Sequence, residues 1–160
     1  MSTDTRRTAE PRNPSGRRGA NSSTKLRTVT VLLLVGIAVE FVFGTYVNLA
    51  VTLPRGGTNH GGATPAMKEA MTNPAVLSHI LVGIAVAFGG VVLMGMAAQS
   101  GNKSAAALAA VGVGALGAAA AAGMVFLAGG QSAVASFVMA MGFLVSFTSY
   151  FALLAALPRR

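Results

Sequence analysis

Cysteine is absent from the 160 residues. That excludes disulfides, thiolate metal sites and a nucleophilic thiol. Charge is scarce too: 10% of residues are Asp, Glu, Lys or Arg, where soluble domains carry about a quarter. Acids are the scarcest, four against twelve Lys and Arg. Asp4, Glu10 and Glu69 lie outside the long apolar stretches, which leaves Glu40 as the one acid inside them. With no second carboxylate there, no Ser, His and acid at one level, and no phosphate-cradling loop beside a lysine, hydrolytic chemistry has no constellation to work with. The reading leans away from an enzyme.

What is present is apolar. Hydrophobic residues make up 53% of the chain. Four stretches, at about residues 29–53, 75–98, 105–127 and 133–157, each exceed the roughly 20 residues that cross a hydrocarbon core. The fold class expected is all-α: an integral-membrane four-helix bundle in an antiparallel up-down topology, its loops being short. Residues 27–160 would form this one domain. Residues 1–26, rich in Ser, Thr, Arg, Pro and Gly, would be a disordered basic tail.

The net charge of +8 is unevenly placed: seven of the twelve basic residues precede the first span. A cluster beside a membrane span sets topology or touches anionic lipid, so no nucleic-acid partner is expected. With the N-terminus inside, ten basic residues fall on the cytoplasmic side and two, Arg55 and Lys68, on the other. Both termini are therefore expected in the cytoplasm. Arginine outnumbers lysine and Ala and Gly abound, as in GC-rich bacterial genomes. The location expected is a bacterial plasma membrane, with the lipid bilayer and possible membrane subunits, or a second copy, as partners.

In the first span Gly36, Glu40, Gly44 and Asn48 fall four apart and form one ridge. Small residues there invite a neighbouring helix. In the second span His79, Gly83 and Val86 share a face. If each helix starts flush with the surface, Glu40 lies about 20 Å down and His79 about 6 Å. A separation of about 14 Å makes them two sites. Glu40 is then expected to be neutral and to donate a hydrogen bond to Ser146, with Gly89 and Gly117 making room. It is also the centre of a possible proton-coupled carrier.

His79 admits three readings. It could be a structural histidine bonded to Asn48, Tyr46 or a carbonyl. It could be an axial ligand of haem b, with Met124 or Met139 at the right depth for the second ligand. It could join His60, Met67 and Met71 in a copper site. Met67 and Met71 lie four apart on a short loop helix from Pro65 to Met71 and share a face.

The stretch EFVFGTYVNLAVTLP, then NHGG, then NPAVLSHILVGIAVA resembles a group of small four-span bacterial membrane proteins. Their pattern is an acid and Gly before Tyr-Val-Asn-Leu, a Pro ending the helix, a Gly-Gly loop with His, and a His opening the next helix. The resemblance implies roles for Glu40, Gly44, Asn48, His60 and His79. More distantly, residues 40–87 are similar to half of haem A synthase, which implies haem held between histidines. This chain departs from that pattern: its third and fourth spans contain no histidine, so the second ligand is missing. The function expected is a non-enzymatic accessory or assembly partner of a larger membrane complex, with haem or copper binding and proton coupling as alternatives.

Overall fold

A computed structural model of the protein describes residues 15–51, 65–128 and 132–157. Five helices run in order: α1 Ser15–Ala50, α2 Pro65–Thr72, α3 Pro74–Gln99, α4 Lys103–Ala128 and α5 Ala133–Ala156. Four are long and apolar enough to cross a membrane. Large apolar side chains point outward on all four, among them Leu32, Val42, Ile84, Phe88, Val125, Phe137 and Phe151. A helix that is apolar all round needs an apolar solvent. The chain is a multi-pass membrane protein in contact with the bilayer.

The backbones of α1 and α4 each pack against both α3 and α5, while α1 and α4 stand on a diagonal, as do α3 and α5. The order round the bundle is α1, α3, α4, α5, so sequence neighbours are spatial neighbours. Leu26 of α1 and Leu157 just after α5 belong to one core cluster. The chain therefore enters and leaves the bundle at the same end. The short helix α2 packs at the other end against α3 and α4. Its Ala70 is buried with Val47 and Val76.

The helix ends follow local signals. Asn73 caps α3, its side chain accepting from the Ala75 and Val76 amides, and Pro74 occupies the first turn, where its missing N–H costs nothing. Between α3 and α4 the chain turns at Gly101, whose φ of 71° suits a residue without a Cβ. The Asn102 side chain then accepts from Ala105 N at 3.1 Å, capping α4.

One boundary differs strongly from expectation. Helix α1 starts at Ser15, ahead of the apolar stretch that begins at about residue 29; of the tail expected at residues 1–26, residues 1–14 lie outside the described residues. A span is a ready nucleus, and adding a turn to it avoids the cost of starting a helix. Leu26 is buried in the core cluster and Thr30 donates to Leu26 O at 2.8 Å, which ties that turn to the bundle. At its other end α1 stops at Ala50, three residues before the expected Leu53.

The α4–α5 seam is the tightest. A Cβ on Gly142 would meet Ala115 O at 2.7 Å, and one on Gly112 would run into the Tyr150 ring. Ser146 lies in the same seam, its hydroxyl between Gly142 O at 2.7 Å and Gly112 O at 3.0 Å. With no hydrophobic force between helices in lipid, close approach of small residues and such bonds hold the bundle together.

A candidate proton site between α1 and α3

The register of α1 on α3 is fixed by four glycines. A Cβ on Gly44 would touch the His79 ring, one on Gly83 the Glu40 carboxylate, one on Gly36 Val86, and one on Gly89 Leu33. The residue numbers of each facing pair add to 122 or 123. Placing Leu53 level with Ala75 makes them add to 128. The helices are thus offset by five to six residues, about 8 Å, from a flush arrangement.

That offset changes the site. Glu40 stands opposite Gly83, and His79 only one turn further towards the α2 end. The remaining separation along the axis is about 6 Å, which the two side chains span. Glu40 Oε1 lies 2.8 Å from His79 Nδ1. The two residues read as separate sites are one. The flush assumption failed because close packing of backbone over glycine, and not the position of the helix ends, sets the depth of one helix against another.

Glu40 is 2% exposed and His79 22%. Among the described residues neither Glu40 Oε2 nor His79 Nδ1 has an aligned hydrogen-bond partner. The Nδ1–Oε1 approach is therefore a close charge contact rather than a directed bond. Placed together, a carboxyl and an imidazole can share one proton without leaving an isolated charge in the apolar interior, the arrangement that burial penalises most. Gaining or losing a proton leaves one net charge in an apolar setting. Intramembrane Glu and His residues recur in proton relays.

The other expected partners go elsewhere. Ser146 gives its hydrogen to the Gly112 and Gly142 carbonyls, not to Glu40. Gly112 lies against Tyr150, whose hydroxyl would be 2.8 Å from a Cβ on Gly90, next to the Gly89 that faces Leu33. Ser146 is thus about two turns away from Glu40. Gly83 makes the room for Glu40; Gly89 faces Leu33, and nothing lies within 4 Å of a Cβ on Gly117. Tyr46 is 57% exposed on the lipid side. Asn48 turns out of the α1–α3 seam and lines an open depression of about 320 Å³ with Phe126, Ala133 and Ser136. His79 is therefore bonded to neither.

Among the described residues nothing stands opposite His79 as a second haem ligand. Helix α1 stands against the ring: a Cβ on Gly44 would be 2.9 Å from His79 Cε1 and 3.5 Å from Nε2. Met124 is 59% exposed on the outer surface, and a Cβ on Gly123 would lie 3.4 Å from Met139 Sδ. Neither methionine offers the opposite ligand. For copper, His60 lies outside the described residues, Met67 is half-buried on α2 and Met71 is 60% exposed. Among the described residues no three His, Asp or Glu gather as metal ligands.

Tyr150 was not legible as part of the interior. It is fully buried, and its hydroxyl has no hydrogen-bond partner among the described residues. The available signal is spacing: Gly142, Ser146, Tyr150 and Leu153 fall three or four apart along one face of α5.

No protein family, curated protein or solved structure matches the chain. The hairpin's likeness to haem A synthase gains no support from them, and the geometry carries the functional reading.

Proposed function

We propose that this multi-pass membrane protein handles protons at the Glu40–His79 pair, as a proton-coupled carrier does. The observation that carries the reading is the 2.8 Å contact between a 2%-exposed intramembrane carboxylate and an imidazole on the facing helix. A carboxylate within a span costs about 2.5–3.5 kcal/mol on insertion scales. A pair of groups that trade one proton both offsets that cost and provides a function for it. In this reading the membrane is a bacterial plasma membrane with both termini cytoplasmic, supported by the ten-to-two distribution of basic residues.

The test is proton flux into pyranine-loaded proteoliposomes under a valinomycin-imposed potassium potential. Wild-type protein is expected to dissipate the imposed potential by moving protons. Glu40→Gln, similar in size but unable to titrate, should fold and lose the flux; His79→Ala should lose it too. Flux equal to that of empty vesicles, or undiminished in folded Glu40→Gln, overturns the reading.

A second reading is an accessory or assembly subunit of a larger membrane complex. It is favoured by the outer face of α4, where Gly114 and Gly117 are exposed and a Cβ on either meets nothing within 4 Å. Another helix can approach closely there. Gly114→Leu with Gly117→Leu is expected to release a membrane protein that co-purifies with wild type. Absence of such a protein, or its retention by the double variant, overturns this reading.

A further inference from the structure

We propose that in the conformation described the Glu40–His79 pair exchanges protons through the α2 end of the bundle, and that Tyr150 with the leucine layer around it is the closed gate at the other end, which transport has to open. The inference rests on the proton-handling role above and adds a direction and a gate to it.

The two ends of the site differ. Towards the α2 end, His79 lies one turn beyond Glu40 and packs against Gly44, and one turn further on α1 Asn48 turns out of the α1–α3 seam. Asn48 is exposed and lines, with Ser136, Phe126 and Ala133, the depression of about 320 Å³ that opens at this end between α1, α4 and α5. His79, packed against Gly44, is the more exposed member of the pair, 22% against 2%. A proton arriving from this end meets the imidazole first and the carboxylate second.

Towards the other end the interior is sealed. Below Glu40 come Leu33, Leu34, Ile37, Val86, Leu93 and Leu116, each no more than 9% exposed and all in one cluster. Tyr150 fills its centre: its ring occupies the notch left by Gly112 and its hydroxyl reaches across the bundle to Gly90. A proton cannot cross such a layer without a polar carrier. Where the buried hydroxyls of Ser146 and Thr30 donate to helix carbonyls, the phenol hydroxyl of the layer has no partner among the described residues. A rotation of this ring would open the layer and present a polar group to it.

The remaining charged groups leave the pair's response to those two ends. Helices α4 and α5 contribute no acid or base to the interior besides Tyr150; Lys103 is exposed at the sealed end. On α2, Lys68 and Glu69 are exposed. On α1, Lys25 and Arg27 stand at least three turns towards the sealed end, and Tyr46 is exposed on the outside of the bundle.

The test uses full-length protein in proteoliposomes of uniform orientation, with the pH of the two compartments set separately. In a His60→Ala background the remaining histidine is read by ¹⁵N resonance of its ring. The His79 signal is expected to follow the compartment facing α2 and to ignore the other. Tyr150→Ala should make it follow both, while Tyr150→Phe, which keeps the ring, should stay one-sided. If Tyr150→Ala does not fold, Leu116→Ala, which thins the same layer, is expected to admit the second compartment. A wild-type signal that follows the sealed-end compartment or both overturns the proposal, as does one-sidedness unchanged in every folded layer variant. Flux lost in Glu40→Gln alongside a two-sided signal sinks the sidedness alone. A one-sided signal without flux sinks the carrier reading alone, and a signal that follows neither compartment sinks both.

Discussion

Glycines in this bundle differ by what stands against them. A methyl on Gly142 would face Ala115 O at 2.7 Å and the Ala119 Cβ at 2.8 Å. Both are fixed by the helix that carries them. Gly142→Ala is therefore expected to destabilise the protein by about 1–3 kcal/mol through overpacking, read as a lower unfolding midpoint in mixed micelles. A methyl on Gly83 would come just as close, 2.8 Å, but to Glu40 Oε1, the tip of a flexible side chain. The carboxylate can swing away. Gly83→Ala should leave the unfolding midpoint within experimental error while cutting proton flux, because the carboxylate loses its place beside His79. Gly114→Ala, with nothing within 4 Å, serves as the control and should be neutral or stabilising, Ala being the better helix former. A reversal of the order of Gly142 and Gly83 in stability would show that the α4–α5 seam is looser than described.

At the scale of elements, the first turn of α3 holds the site in place. Asn73 Oδ1 accepts from Ala75 N at 3.0 Å and from Val76 N at 3.4 Å, and His79 follows six residues after the cap. Asn73→Ala should cost about 1 kcal/mol and raise amide exchange in the first turn of α3. Helix α5 offers the comparison. Ser132 sits at its N-cap without a side-chain cap bond, so Ser132→Ala should change stability much less. Equal losses in the two variants would mean that the Asn73 bonds add nothing beyond the residue's backbone preference. Hydroxyls inside the helices follow a different rule. Thr30, Thr45 and Thr148 each donate to the carbonyl four residues earlier, which removes the cost of a bare hydroxyl in lipid. Ser146 shares its hydrogen with a second helix.

For the whole molecule, a chain without cysteine lets topology be read from single introduced thiols. Lys103→Cys is expected to react with a membrane-impermeant maleimide only from the cytoplasmic face, and Asn59→Cys only from the opposite face. Reaction of both from one face would overturn the four-span arrangement. Among the described residues no ligand stands opposite His79, which gives a further check: protein purified from haem-replete cells should show no Soret band. A band lost in His79→Ala would mean that α1 moves off the ring to admit a haem.

How much was legible beforehand follows from which forces are local. The four spans come from apolar runs longer than the bilayer requires, and α3, α4 and α5 begin and end within two residues of expectation. Caps and turns at Asn73-Pro74 and Gly101-Asn102 are equally local, since each depends on neighbouring backbone groups. The face of α1 that packs inward was readable as far as Gly44, because a four-residue repeat is a property of one helix. Its extension to Asn48 was not: a four-residue repeat drifts round a helix of 3.6 residues per turn, and by that position Val47 faces α3, packed with Val76, while Asn48 is exposed. The depth of α1 against α3 was unreadable for a different reason. Every register that buries an apolar stripe against another looks alike in composition, and only the meeting of Gly44 with a histidine ring and Gly83 with a carboxylate selects one. Sequence alone thus determined that this is a membrane bundle with an acid and an imidazole inside it. Tertiary packing decided that the two meet, because a shift of about 8 Å along a helix axis changes no residue's local preference but decides which side chains touch.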